Sequence, residues 1–188
     1  ALVLFSAKGL IFTPVQILWV NLVTDGILDR ALAMEPKEGD VMDEPPRRPE
    51  ARIINLDILK NVVFVAVFMA VGTLWMFDRA SVDGNLMYAQ TLAFTTLAMF
   101  QVFNSMNCRS ATKSVFQIGV FRNRYLLGAI VLSIVLQLAA LHLPFMQTAL
   151  RTVTLSLKDW GLAVLVASTI FIGDELRKLI ERWVRSRV

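Results

Sequence analysis

The sequence predicts an all-α fold, a polytopic transmembrane helix bundle of about five spans plus an N-terminal helix stub. Two observations predict it. Hydrophobic residues make up 56% of the 188 and charged residues only 18%, against about 25% charged in an ordinary soluble domain. The charges are also segregated: no Asp, Glu, Lys or Arg occurs from 84 to 108 or from 125 to 150. Each window exceeds the roughly 20 residues of helix that cross a hydrocarbon core about 30 Å thick. One such window would suit the core helix of a soluble protein, but several in so short a chain point to a bilayer.

The elements follow in order. Residues 1–7 are apolar apart from Ser6, with no basic start and no cleavage site, so they read as the end of a preceding helix cut from its beginning and not as a signal peptide. The first span covers 14–32, where Pro14 suits a first helical turn because its missing N–H would go unpaired there in any case. Further spans are predicted at 56–77, 89–106, 125–143 and 160–177. In the last, only 160–173 is uncharged, about 21 Å of helix. Lys158 and Arg177 must therefore reach the interface from its two ends. Gly173, Asp174 and Glu175 mark where this helix leaves the bilayer.

The connectors carry the topology. Residues 35–55 form a long linker rich in proline and charge, and 109–124 holds four basic residues and no acid. Arg177, Lys178, Arg182, Arg185 and Arg187 make a second basic block. With alternating spans, the linker, the 109–124 connector and the C-terminus share one side. That side carries thirteen Lys and Arg against four on the other, namely Lys8, Arg79, Arg151 and Lys158. The positive-inside rule then makes 35–55 a cytoplasmic loop and the C-terminus cytoplasmic. The net charge of +4 has the same cause. The basic residues flank apolar segments and form no stripe, so nucleic acid is excluded as a partner and the lipid bilayer is the expected one. Cys108, the single cysteine, rules out an internal disulfide. No internal repeat supports a repeat-built secondary transporter.

Polar groups at membrane depth are costly and therefore mark function. The first span carries Asn21, Thr24 and Asp25 at offsets of three and four residues, which share a helical face. Gly26 beside them lets the helix loosen or another backbone approach. An amide oxygen, a hydroxyl or carbonyl oxygen and a carboxylate form a hard-oxygen set suited to Ca²⁺ and not to zinc or copper. The competing reading is an interhelical hydrogen-bond cluster with a neutral Asp25. A second polar face, Gln101, Asn104 and Ser105, has the same spacing but no charge, and reads equally as helix glue or as part of a site. Thr95 and Thr96 suit bonds back to their own helix, and His142 suits an interfacial anchor.

The run Pro14, Val15, Gln16, Ile17, Leu18, Trp19, Val20, Asn21, Leu22, Val23, Thr24, Asp25, Gly26 resembles the sixth transmembrane helix of P-type cation-transporting ATPases of the calcium-pump group. Ala31 to Pro36, then Asp40, Val41 and Met42, and Pro45, Pro46 and Arg47, are similar to the cytoplasmic loop that follows it. Thr91, Leu92 and Ala93 with Phe103, Asn104, Ser105, Met106 and Asn107 resemble the eighth helix, and Glu175, Arg177 and Lys178 the end of the tenth. The resemblance covers essentially the whole chain as a C-terminal transmembrane domain.

It implies that Asn21 and Asp25 are cation ligands, with Thr24 an adjacent one. Gln101 stands where two-site calcium pumps place a glutamate, which implies that this second site is absent or weakened. Asp29 and Arg30 replace the small residues common there. Ca²⁺ or Mn²⁺ is the expected cargo. The remaining domains of the ATPase are the implied partners, and ATP and Mg²⁺ belong to those domains. The chain has no Asp-Lys-Thr-Gly-Thr phosphorylation motif and no Thr-Gly-Glu actuator motif, hence no candidate for an aspartyl phosphate. It has no expected catalytic residue and by itself is expected to be inactive. The alternatives are a stand-alone truncated membrane protein that associates with or modulates another pump, and an unrelated secondary transporter.

Overall fold

The computed structural model describes residues 5–6, 9–36 and 56–185, and apart from one short strand pair near the start the architecture is built of helices. Helices α1 (Pro14–Trp19) and α2 (Gly26–Leu32) are joined without a break by a π-helical segment, Val20–Asp25. After the linker come α3 (Leu56–Ala80), α4 (Leu86–Asn107), the single turn α5 (Val115–Ile118), α6 (Arg124–His142), the short α7 (Pro144–Leu150) and α8 (Leu157–Arg185). Three of these, α3 from Ile58, α4 and α6, are long and apolar enough to cross a membrane.

The N-terminal stub departs from expectation. Phe5–Ser6 is not helical but pairs antiparallel with Gly9–Leu10, Phe5 opposite Leu10 and Ser6 opposite Gly9. Most of the proposed cytoplasmic loop, with Asp40, Val41, Met42, Pro45, Pro46 and Arg47, lies outside the described residues, as does Arg187.

Local chemistry sets the helix boundaries. Thr13 caps α1 in a reciprocal box: its hydroxyl accepts from the Gln16 N–H at 3.3 Å while its own N–H donates to Gln16 Oε1 at 3.1 Å. Asn85 caps α4 through Tyr88 N–H at 3.1 Å, and Asn123 caps α6 through Leu126 N–H at 2.9 Å. Gly84 precedes the α4 cap with φ +74°, a left-handed turn that glycine takes without steric cost. Pro144 ends α6, since the residue before proline is driven out of the helical region, and opens α7 at its first position.

Helix α8 runs eight residues beyond the expected 177. Arg177 bonds Asp174 at 2.7 Å and Glu181 at 2.8 Å, and Lys178 lies 2.8 Å from Asp174. These three- and four-residue pairs extend the helix. Asp174 and Glu175 are therefore interior to a helix that continues past them. Lys178 turns inward and is 1% exposed.

Helix α4 is the central element, packed against α3 on one side and α8 on the other. Ala93, Phe94 and Phe100 are fully enclosed on it, together with Phe77 of α3 and Ala163 and Ile170 of α8. The α3–α4 approach depends on Gly72, where a Cβ would stand 2.5 and 2.8 Å from ring atoms of the enclosed Phe100. The opposite face of α3 presents Val63, Val67, Val71 and Trp75 outward, an apolar exterior.

Candidate cation site

The first-span residues acquire their geometry from the π-helical segment. Its hydrogen bonds reach from residue i to i+5, so a turn takes more than four residues. An offset of four nearly completes a turn, while an offset of three falls well short. Asn21 and Asp25 consequently return to one side, and Thr24 does not. Thr24 is buried at 3% exposure and lines neither of the two cavities described next. The expectation that all three share one face follows from α-helical winding, which this segment does not have.

Asn21 lines a cavity of about 220 Å³ between the first helix, α3 and α4, along with Gln16, Ala70, Thr73 and Gln101. Asp25 lines a second cavity of about 150 Å³ between α2 and α4, along with Asp29, Gln101, Asn104, Ser105 and Cys108. Gln101 thus borders both, while Asn21, which is exposed, and Asp25 share neither. Gly26 leaves room here: a Cβ on it would meet only the Asn21 carbonyl oxygen, at 3.7 Å.

Apart from the Cys108 sulfur, the donors around Asp25 are oxygens: two carboxylates, two side-chain amides and a hydroxyl. Ser105 spends its hydroxyl proton on the Val102 carbonyl at 2.7 Å, leaving lone pairs free. Asn104 Oδ1 is buried with no hydrogen-bond partner among the described residues, while its amide nitrogen lies 3.6 Å from Cys108 Sγ. Such a set suits a hard cation. No three His, Cys, Asp or Glu side chains converge as a metal cluster among the described residues.

Some contributors escaped sequence reasoning. Gln16, fully buried, donates from Nε2 to the Leu150 carbonyl at 3.1 Å and so ties the start of the site helix to α7. The Thr13-x-x-Gln16 capping pattern was the available signal. Thr73 is 1% exposed with an unpartnered hydroxyl, and it lines the Asn21 cavity. A hydroxyl amid an apolar run was its only trace. Thr96 bonds back to the Leu92 carbonyl at 2.8 Å as expected, but Thr95 accepts from Gln137 of α6 at 3.3 Å. His142 is exposed at the end of α6.

The sequence also matches, across residues 9–180, the family described as "Cation transporting ATPase, C-terminus". The chain belongs to that family. Among its relatives, calcium-transporting ATPase 1 of Yarrowia lipolytica is 40% identical over 166 residues, 88% of this chain. A calcium-transporting ATPase of Bacillus subtilis is 40% identical over 162 residues, 84% of the chain, and calcium-transporting ATPase type 2C member 2 of Rattus norvegicus is 38% identical over 170, 89% of it. The chain spans 18% of the length of each of these relatives. As a C-terminal cation-transporting ATPase domain, it carries its polar cavities where α4 meets the π-helical segment.

Proposed function

We propose that this chain is the membrane transport module of a P-type cation-transporting ATPase, contributing Asn21 and Asp25 to the cation site and the remaining helices as its support. Ca²⁺ is the favoured cargo, with Mn²⁺ its closest competitor. The observation that carries this reading is that Gln101 of α4 lines both the Asn21 cavity and the Asp25 cavity beside the π-helical segment, and π-segments recur at functional sites. The relatives named calcium-transporting ATPases support the choice of ion. Thr24 has a supporting place in the segment, and Gln101 an outer one.

In this reading α3, α4 and α6 cross the bilayer, as do the first helix and α8. The basic C-terminus and the 35–55 loop lie in the cytoplasm. ATP and Mg²⁺ act in domains outside this chain. Their phosphorylation cycle would shift the helices between two states that differ in cation affinity, which requires ligands on helices that move. Asp25 supplies the charge, and the amide oxygens of Asn21 and Gln101 replace water around the ion.

The test is cation-dependent phosphorylation of a complete pump carrying this chain with Asp25→Asn or Asn21→Ala. Each substitution is expected to raise the half-saturating calcium concentration at least tenfold. Unchanged affinity in both would remove the ligand assignment.

A further inference from the structure

A largely buried polar knot lies where α2 and α4 end and α6 begins. Arg109 follows α4 directly, and its side chain is 0% exposed. Its Nε donates to both Glu35 carboxylate oxygens at 3.1 and 3.2 Å, and one terminal nitrogen donates to Glu35 Oε1 at 2.9 Å. The other terminal nitrogen donates to the Val120 carbonyl at 3.3 Å. Asn123, the α6 cap, donates from Nδ2 to Glu35 Oε2 at 2.7 Å and to the Ala31 carbonyl at 3.1 Å. Glu35 itself sits three residues past α2, its N–H donating to the Leu32 carbonyl at 3.0 Å.

This knot borders the Asp25 cavity. Leu32 and Cys108 line that cavity, and they are the residues to which the knot is attached, Leu32 through Glu35 and Cys108 through its neighbour Arg109. Helix α2 leans mainly on α6 through Leu28, Ala31, Leu126 and Ala129, and touches α4 less. The Arg109–Glu35 fork is the polar tie that spans the α2–α4 gap. A buried ion pair adds little net stability compared with apolar residues of the same volume. What a bidentate arginine–carboxylate pair adds is direction and spacing.

We infer that Glu35, Arg109 and Asn123 are positioning residues for the cation site: they hold α2 at a set distance from α4, and so set how Asp25 faces Gln101. The inference rests on the proposed role of Asp25. Opening the tie leaves the helices folded but lets the cavity widen, so cation affinity falls while turnover capacity survives.

The experiment uses a complete pump carrying this chain, with E35Q, R109K and E35D, and with D25N measured alongside. Calcium-dependent phosphorylation gives the half-saturating concentration and the maximum level, per unit of pump that elutes as a single species. E35Q and R109K are expected to raise half-saturation roughly 3- to 10-fold, within the range by which residues remote from a ligand tune its binding. The maximum should stay within about two-fold of the unsubstituted pump. E35D, which keeps the charge, should recover most of the affinity. R109K carries the test alone should E35Q fail to fold, because it preserves the charge and removes only the fork. Unchanged half-saturation in both, or a loss of folded pump with affinity intact, overturns the inference. If D25N shifts affinity and the clasp variants do not, the clasp falls and the site reading stands. If D25N also has no effect, the site reading falls and takes this inference with it.

Discussion

Lys178 and Asp174, one turn apart on α8, form an ion pair at 2.8 Å with side chains 0% and 2% exposed. Lys178 Nζ also donates to the Asn107 backbone carbonyl at 3.0 Å, so the pair fastens α8 to the last turn of α4. Lys178, one of the basic residues near the C-terminus, is thus a buried link between the two helices.

Asp174→Asn should therefore be costly. It leaves the Lys178 ammonium enclosed without its counter-charge and takes the charge from one of the two acids that Arg177 bonds. Breaking a buried pair from one side costs about 3–5 kcal/mol. The double replacement Asp174→Leu with Lys178→Met should cost less than Asp174→Asn alone, because no uncompensated charge remains. Thermal unfolding in detergent micelles measures both.

Gly72→Ala should destabilise the α3–α4 contact by about 1–3 kcal/mol, the usual cost of overpacking. The added methyl would sit 2.5 Å from a ring that is itself enclosed. Gly26→Ala should fold normally, since its Cβ meets only an ordinary 3.7 Å contact. Comparing the melting temperatures of the two variants checks the contrast.

Acid should loosen the Glu35 clasp. Burial pushes the Glu35 carboxyl up, but hydrogen bonds from Arg109 and Asn123, with the charges of Arg109 and Arg122, more than offset this and hold its pKa below the ordinary 4.5. A lowered folded pKa means the stabilisation is complete above 4.5 and drains away as pH falls through the lower folded value. The stability gap between the unsubstituted chain and Glu35→Gln should be widest above pH 4.5 and shrink below it. Melting temperature as a function of pH measures the gap, and a constant gap would contradict the linkage.

Gln101→Glu should lower the half-saturating calcium concentration several-fold, because site affinity rises with the number of carboxylate ligands. Its position between the Asn21 and Asp25 cavities motivates the choice. Calcium-dependent phosphorylation is the readout, and an unchanged value would put Gln101 outside the ion's reach.

Much of this protein was legible in one dimension. Uncharged windows announced α4 and α6, and Pro14 marked a helix start, because length and charge segregation act locally and need no partner. The polar residues worth watching, Asn21, Asp25 and Gln101, were equally visible, since a costly group in an apolar run stands out whatever surrounds it. Which of them meet was not visible. The π-helical winding that separates Thr24 from Asn21 and Asp25 lies outside any α-helical spacing rule. The inward turn of Lys178 and the fork between Arg109 and Glu35 join residues many turns apart in the chain. Those choices depend on which buried charge finds its counter-charge, and only the packed helices decide that.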